Sequence, residues 1–180
     1  MLNIFSKSKK VDSAEVYGLL KTDMHSHLIP GVDDGSPDLA NSLKLIRGLH
    51  ELGYTKLITT PHIMWDIYKN SAGKITEKLG LLREAVLQEG IPVEIQAGAE
   101  YFLDDHVAEL LSNNQPLLKI SGNMVLTEFS MAYQPHGIKE IIFDMQMQGY
   151  QPVIAHPERY SYLIQNKGFY DELKDIGCLF

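Results

Sequence analysis

From Leu19 onward, short apolar runs alternate with longer stretches whose apolar residues recur at three- and four-residue intervals. The segment SPDLANSLKLIRGLHELG predicts a helix. Ser36 can cap it, Pro37 suits its first turn, Leu39, Leu43, Ile46 and Leu49 share one face, and Gly53 can end it. TKLITTPH then predicts a buried strand. The alternation continues with a helix around TEKLGLLREAVLQEG, a strand VEIQAGAE, a short helix from Asp104 and a strand MVLTEF. A helix from Pro135 to Met147, a strand PVIAHPE and a last helix KGFYDELKDIG complete it. Strands alternating with helices imply βαβ units and a mainly parallel sheet, an α/β fold. FSKSKKVDSAEVYG shows no sustained pattern, so residues 1–20 are expected to form an N-terminal extension and residues 21–180 one domain.

Composition narrows the functional classes. The chain has 180 residues, 44% hydrophobic, enough to bury a core. Its 16 basic and 23 acidic residues give a net charge of −7, which argues against nucleic acid or an anionic membrane as the main partner. No apolar run approaches the roughly 18 residues of a membrane span, and MLNIFSKSKK lacks the apolar centre of a secretory signal. With Cys178 as the single cysteine, a cytoplasmic location is expected.

Several polar residues interrupt the apolar strand ends. His25 and His27 close the first strand, His62 the second, Glu100 the third, Glu128 the fourth and His156 the fifth. Positions 27, 62, 100, 128 and 156 are separated by 35, 38, 28 and 28 residues, about one βα unit each. In a (β/α) barrel the carboxyl ends of the strands meet on one rim, so five strands would deliver one ligand set to one place. His25 and His27, two apart, point to the same face of a strand. Imidazoles and carboxylates without thiolates suit Zn²⁺, Mn²⁺ or Fe²⁺, and the number of donors exceeds what one tetrahedral ion needs. Such a cluster can polarise a phosphoryl oxygen, generate hydroxide near neutral pH and brace attacking and leaving oxygens, which implies phosphate-ester hydrolysis. Arg159, three residues beyond His156, is placed to clamp phosphate.

Plainer readings compete with each assignment. A lone His-x-His is more often structural, Glu100 can cap a helix, and Glu128 can be a buried ion-pair partner. Asp33 and Asp34 sit in a glycine-bounded loop, and only one of them need be a ligand. Recurrence at successive strand ends favours the metal reading. His50, His106 and His136 lie within or at the starts of helices and are read as solvated or packing residues. MWDIYKN, directly after His62, is read as a loop at the site, where Trp65 and Tyr68 can wall an aromatic substrate or simply pack.

DMHSHLIPGVDDG, TTPHI, GAEYF, LTEFSM and VIAHPERY, in that order, resemble the PHP (polymerase and histidinol phosphatase) superfamily, in particular its capsular and exopolysaccharide branch of metal-dependent protein tyrosine phosphatases. The resemblance runs from about Lys21 to the C-terminus. It implies a distorted, TIM-like (β/α)7 barrel and a site of two or three ions, usually Mn²⁺, with Fe²⁺, Zn²⁺ or Mg²⁺ as alternatives. His25, His27 and Glu100 would bind the first ion. Glu100 would bridge to a second held by Glu128 and His156, and Asp34 with His62 would hold the third. Arg159 would bind the substrate phosphate. The implied substrate is phosphotyrosine on a tyrosine kinase controlling polysaccharide export; a small ester such as histidinol phosphate, or a silent metal-binding module, are the alternatives. The family completes its site with an Asp-x-His late in the barrel. None follows His156 here, so the barrel is expected to be C-terminally incomplete in this sequence.

Overall fold

A computed structural model, covering residues 19–163 and 168–180, turns the apolar runs into short parallel strands separated by helices. Most of the expected N-terminal extension, residues 1–18, lies outside the described residues. In chain order the elements are β1 (Thr22–Ser26), α1 (Leu39–Glu51), β2 (Lys56–Thr59), β3 (His62–Ile63), α2 (Ala72–Gln88), β4 (Glu94–Ala97), β5 (Glu100–Phe102) and α3 (Asp105–Ser112). They are followed by β6 (Met124–Glu128), α4 (Ile138–Met147), β7 (Gln151–Ile154) and α5 (Gly168–Asp175). The first helix starts later than its sequence suggests. Asp38, not Ser36, is its cap, accepting the Asn41 amide at 2.8 Å, while the Ser36 hydroxyl turns inward to donate to the Asp38 carbonyl. Leu39 is consequently exposed, and Ile46 carries the packing of that face. The helix expected from Pro135 begins at Ile138, after Gly137 in the left-handed conformation.

Two expected strands are each broken in two. TKLITTPH divides into β2 and β3 around Thr60–Pro61, and VEIQAGAE into β4 and β5 around Gly98–Ala99. Pro61 has no amide to continue a ladder, and the Thr60 amide turns to the Ser26 carbonyl at 2.6 Å. At Gly98 a Cβ would lie 2.7 Å from Ile120 Cγ2, so any other residue would force Ile120 or the strand to shift. Both chains bend at the same level and move from one sheet, ordered β1-β2-β4, into a second, ordered β3-β5-β6-β7. All named pairs are parallel, as βαβ units require, and His62 lies in register with Glu100. The ladders among the described residues are these two sheets, not one continuous barrel wall.

Strands β2, β6 and β7 carry apolar residues on both faces because both faces are covered. Leu57, Val125 and Ile154 join the large core beneath the helices, while their neighbours Ile58, Leu126 and Val153 pack with Ile120 and Ala155 in a smaller cluster. On α2, Ile75, Leu79, Leu82 and Val86 form the buried stripe, and Ser71 caps it by accepting the Lys74 amide. Burial of each such side chain contributes roughly 1.5–3 kcal/mol. No helix among the described residues is long and apolar enough to cross a membrane.

Candidate metal centre

The bends between the sheets bring the expected donors together. His25 lies in β1 and His27 one residue beyond it; Glu128 ends β6, and His156 follows β7. His62 and Glu100 do not end strands as expected but open β3 and β5, just after the two bends. Glu100, 1% exposed, is the centre of the arrangement. His25 Nε2 lies 3.7 Å from its carboxylate, His27 Nε2 3.3 Å, His62 Nδ1 3.4 Å and His156 Nε2 2.7 Å. Glu128, 2% exposed, lies 2.8 Å from His62 and 3.5 Å from His156. Asp34 approaches His62 Nε2 at 3.5 Å from the open side, its side chain 63% exposed.

Three donor groups overlap here: His25, His27 and Glu100; His27, Asp34 and His62; His62, Glu100 and Glu128. In each, the donor atoms lie within 4.8 Å of one another. His62 Nδ1 and Glu128 Oε1 are both buried and form an ion pair at 2.8 Å without the alignment of a good hydrogen bond. Two buried donor atoms this close, without a well-aligned hydrogen bond, fit a shared cation. His156 adopts a left-handed backbone (φ 33°, ψ 57°), a strain of about 1–3 kcal/mol of the kind concentrated at functional sites.

An outer ring of residues orients the imidazoles. The buried Asp33 carboxylate accepts from His27 Nδ1 at 2.7 Å and from the His62 amide at 3.0 Å. His27 Nε2 is thereby left facing the cluster. Thr60 Oγ1 lies 2.6 Å from His25 Nδ1 and plays the same part. The Asn70 amide group donates to the carbonyls of Val32 and His62, both at 2.8 Å, tying the loop after His62 to the loop after β1. Such partners set ring orientation and basicity as much as the ligands themselves do. The two neighbouring acids thus have separate places: Asp33 braces and Asp34 faces the cluster. The sequence signal for Asp33 is an acid six residues beyond His27 in a loop that glycines fold back on the strand. Thr60 and Asn70 stand out in sequence only as polar residues beside apolar runs.

Electrostatics tie the group together. Burial would neutralise Glu100, but hydrogen bonds from His156 and His27, with the charges of His25 and His62, hold its carboxyl well below the usual carboxylate range. Burial opposes charge on His27, yet its bonds to Asp33 and Glu100 prevail and raise its pKa to about 10. His62 is raised too, as Glu128 outweighs burial, whereas burial dominates at His25 and lowers it. A cation taking up His27 Nε2 must therefore displace a proton.

Arg159 lies on the short 3-10 turn after His156, exposed and without an ion pair among the described residues. Of the two loop aromatics, Tyr68 stacks on His62 with 5.4 Å between ring centroids, while Trp65 stacks on His106 at 4.0 Å. His106 is a packing residue and His136 is exposed. Asp33→Ala is expected to weaken Mn²⁺ binding about 10–100-fold while leaving the fold intact, as read by metal titration alongside circular dichroism.

Residues 21–180 match the family model for capsular polysaccharide synthesis, CpsB/CapC. The chain is 32% identical over 156 residues to the tyrosine-protein phosphatase YwqE of Bacillus subtilis, covering 87% of this chain and 61% of that protein. It is also 32% identical over 157 residues to the tyrosine-protein phosphatase CpsB of Streptococcus pneumoniae, covering 87% and 64%. A solved structure from work on YwqE of B. subtilis and CpsB of S. pneumoniae, described there as unique metal-dependent tyrosine phosphatases, superimposes with a TM-score of 0.79 at 32% identity. It covers 87% of this chain and 64% of that one. This chain thus spans less than two thirds of the length of these relatives.

Proposed function

The chain belongs to the CpsB/CapC family of capsular polysaccharide synthesis, and from that premise we propose that it forms the metal-binding part of a protein-tyrosine phosphatase. The observation that carries this reading is the overlap of three donor groups on the shared residues His27, His62 and Glu100. The reading places the two parallel sheets in a PHP-type (β/α)7 barrel and the reaction in the cytoplasm. Its substrate is phosphotyrosine on a protein, specifically a tyrosine kinase of polysaccharide export.

The donors present fit divalent ions of the Mn²⁺ type: nitrogen and carboxylate oxygen, no thiolate, and three overlapping groups whose donor atoms lie within 4.8 Å of one another. His25, His27 and Glu100 would hold one ion, Glu100, Glu128 and His156 a second, and Asp34 with His62 a third. Bound there, Mn²⁺ would stabilise charge on the phosphoryl oxygens and supply a nucleophile near neutral pH. Asp33 keeps the proton of His27 on Nδ1, so that Nε2 offers its lone pair to the cluster. Arg159, exposed beside His156, supplies a planar donor fork for phosphate oxygens. A phenol leaving group, with a pKa near ~10, departs with less help from an acid than an alkoxide needs, which suits tyrosine esters.

With Mn²⁺ present, kcat/KM for a phosphotyrosyl peptide is expected to exceed that for histidinol phosphate by about tenfold or more. Equal or greater activity on histidinol phosphate would contradict the assignment.

A further inference from the structure

Burial decides from which side a substrate reaches the cluster. Glu100, Glu128 and His156 are 1%, 2% and 7% exposed and form its floor, whereas Asp34 is 63% exposed. The open side therefore runs along Asp34 and also His25, whose side chain is 33% exposed, with His62, 13% exposed, linking Asp34 to the floor. Tyr68 stands there. Its ring lies nearly parallel to the His62 imidazole, 13° between planes, and remains partly exposed.

Tyr68 is held in place before any ligand arrives. Its amide donates to the Met64 carbonyl at 2.7 Å, and the Met64 amide returns to the Tyr68 carbonyl at 3.3 Å, closing a tight hairpin. Asn70 then fastens the end of the hairpin to His62 and Val32. Trp65, at the other end of the same loop, is turned away. Its ring packs on His106, with Lys69 Nζ 6.0 Å above it, and its amide reaches Asp104 at 3.4 Å. The loop thus divides its aromatics, one toward the cluster and one toward α3.

We propose that Tyr68 is a specificity residue that selects aryl over alkyl phosphates by offering its ring beside the phosphate position, an inference that rests on the phosphatase reading. The ring of an aryl ester begins one oxygen beyond phosphorus. A phosphate held over His62 and Asp34 therefore brings that ring alongside Tyr68, where offset or edge contact is favourable. An alkyl ester presents no ring there and loses nothing when Tyr68 is removed. Because the Tyr68 wall is already fixed, the contact demands little ordering on binding.

The test is calorimetric binding of phenylphosphonate and methylphosphonate to the Mn²⁺-loaded chain, neither of which is hydrolysed. The unaltered chain, Tyr68→Phe and Trp65→Leu are expected to bind the phenyl compound about three- to tenfold more tightly. Tyr68→Leu is expected to lose that preference while its metal content and its methylphosphonate Kd stay unchanged. Persistence of the preference in Tyr68→Leu overturns the proposal. So does equal weakening of both ligands, which would make Tyr68 only a support for His62, or loss of the preference in Trp65→Leu. A chain that shows the preference but hydrolyses no phosphotyrosine refutes the phosphatase reading and leaves the role of Tyr68 standing. Failure of both phosphonates to bind refutes both.

Discussion

Glu100→Gln is expected to reduce phosphate release from a phosphotyrosyl peptide about a thousandfold and to remove bound metal, with the far-ultraviolet circular dichroism unchanged. Glutamine keeps the shape of the side chain but loses its charge and one acceptor oxygen. Glu100 belongs to two of the three donor groups, and four imidazoles lie between 2.7 and 3.7 Å from it. Bound metal contributes several kcal/mol of transition-state stabilisation, and about 4 kcal/mol corresponds to three decades in rate. Conserved shape matters to this experiment. At a side chain 1% exposed, truncation would add a cavity and blur loss of metal with loss of fold. Steady-state kinetics together with elemental analysis of the purified variant separates the two.

Gly35→Ala is expected to be nearly as damaging although Gly35 offers no donor. A Cβ at this position would lie 2.3 Å from His27 Cβ and 2.5 Å from the His27 carbonyl oxygen. Neither atom is the flexible end of a side chain, so the loop itself must move away. That movement pulls on Asp33, whose other oxygen accepts the Gly35 amide at 3.0 Å, and through it on His27 and His62. Overpacking of this kind destabilises by about 1–3 kcal/mol. Losing the brace weakens metal binding by up to about 100-fold. Thermal unfolding with and without Mn²⁺ reads both effects: the melting temperature falls, and the rise on adding metal shrinks. An unchanged melting temperature and metal response would show that the loop does not hold His27.

These two residues also mark how far the sequence alone could lead. The donors were legible because each is a polar residue interrupting an apolar run, and because they recur at βα-unit spacing. The bends that bring them together were not. At Gly98 the lack of room for a side chain comes from Ile120, a neighbour distant in sequence, which no local pattern reports. The break at Pro61 had a local sign in the missing amide, but the strand-favouring Leu57, Ile58, Thr59 and Thr60 before it outweighed that sign. Likewise the glycine-bounded loop announced a turn without revealing that Asp33 reaches back to His27 while Asp34 faces His62 from the exposed side. Capping failed for a related reason. Ser36 and Asp38 are both good caps by chemistry, and burial of the Ser36 hydroxyl among Asp38, Asn41 and Ser42 decided between them.

The central claim is that side chains from separate strands meet around divalent cations. The most direct test is anomalous diffraction from crystals of this chain grown with Mn²⁺. Manganese peaks are expected among His25, His27 and Glu100, among Glu100, Glu128 and His156, and beside Asp34 and His62. Saturating Mn²⁺ with no peak between these residues, or peaks only at surface carboxylates elsewhere, would contradict the account.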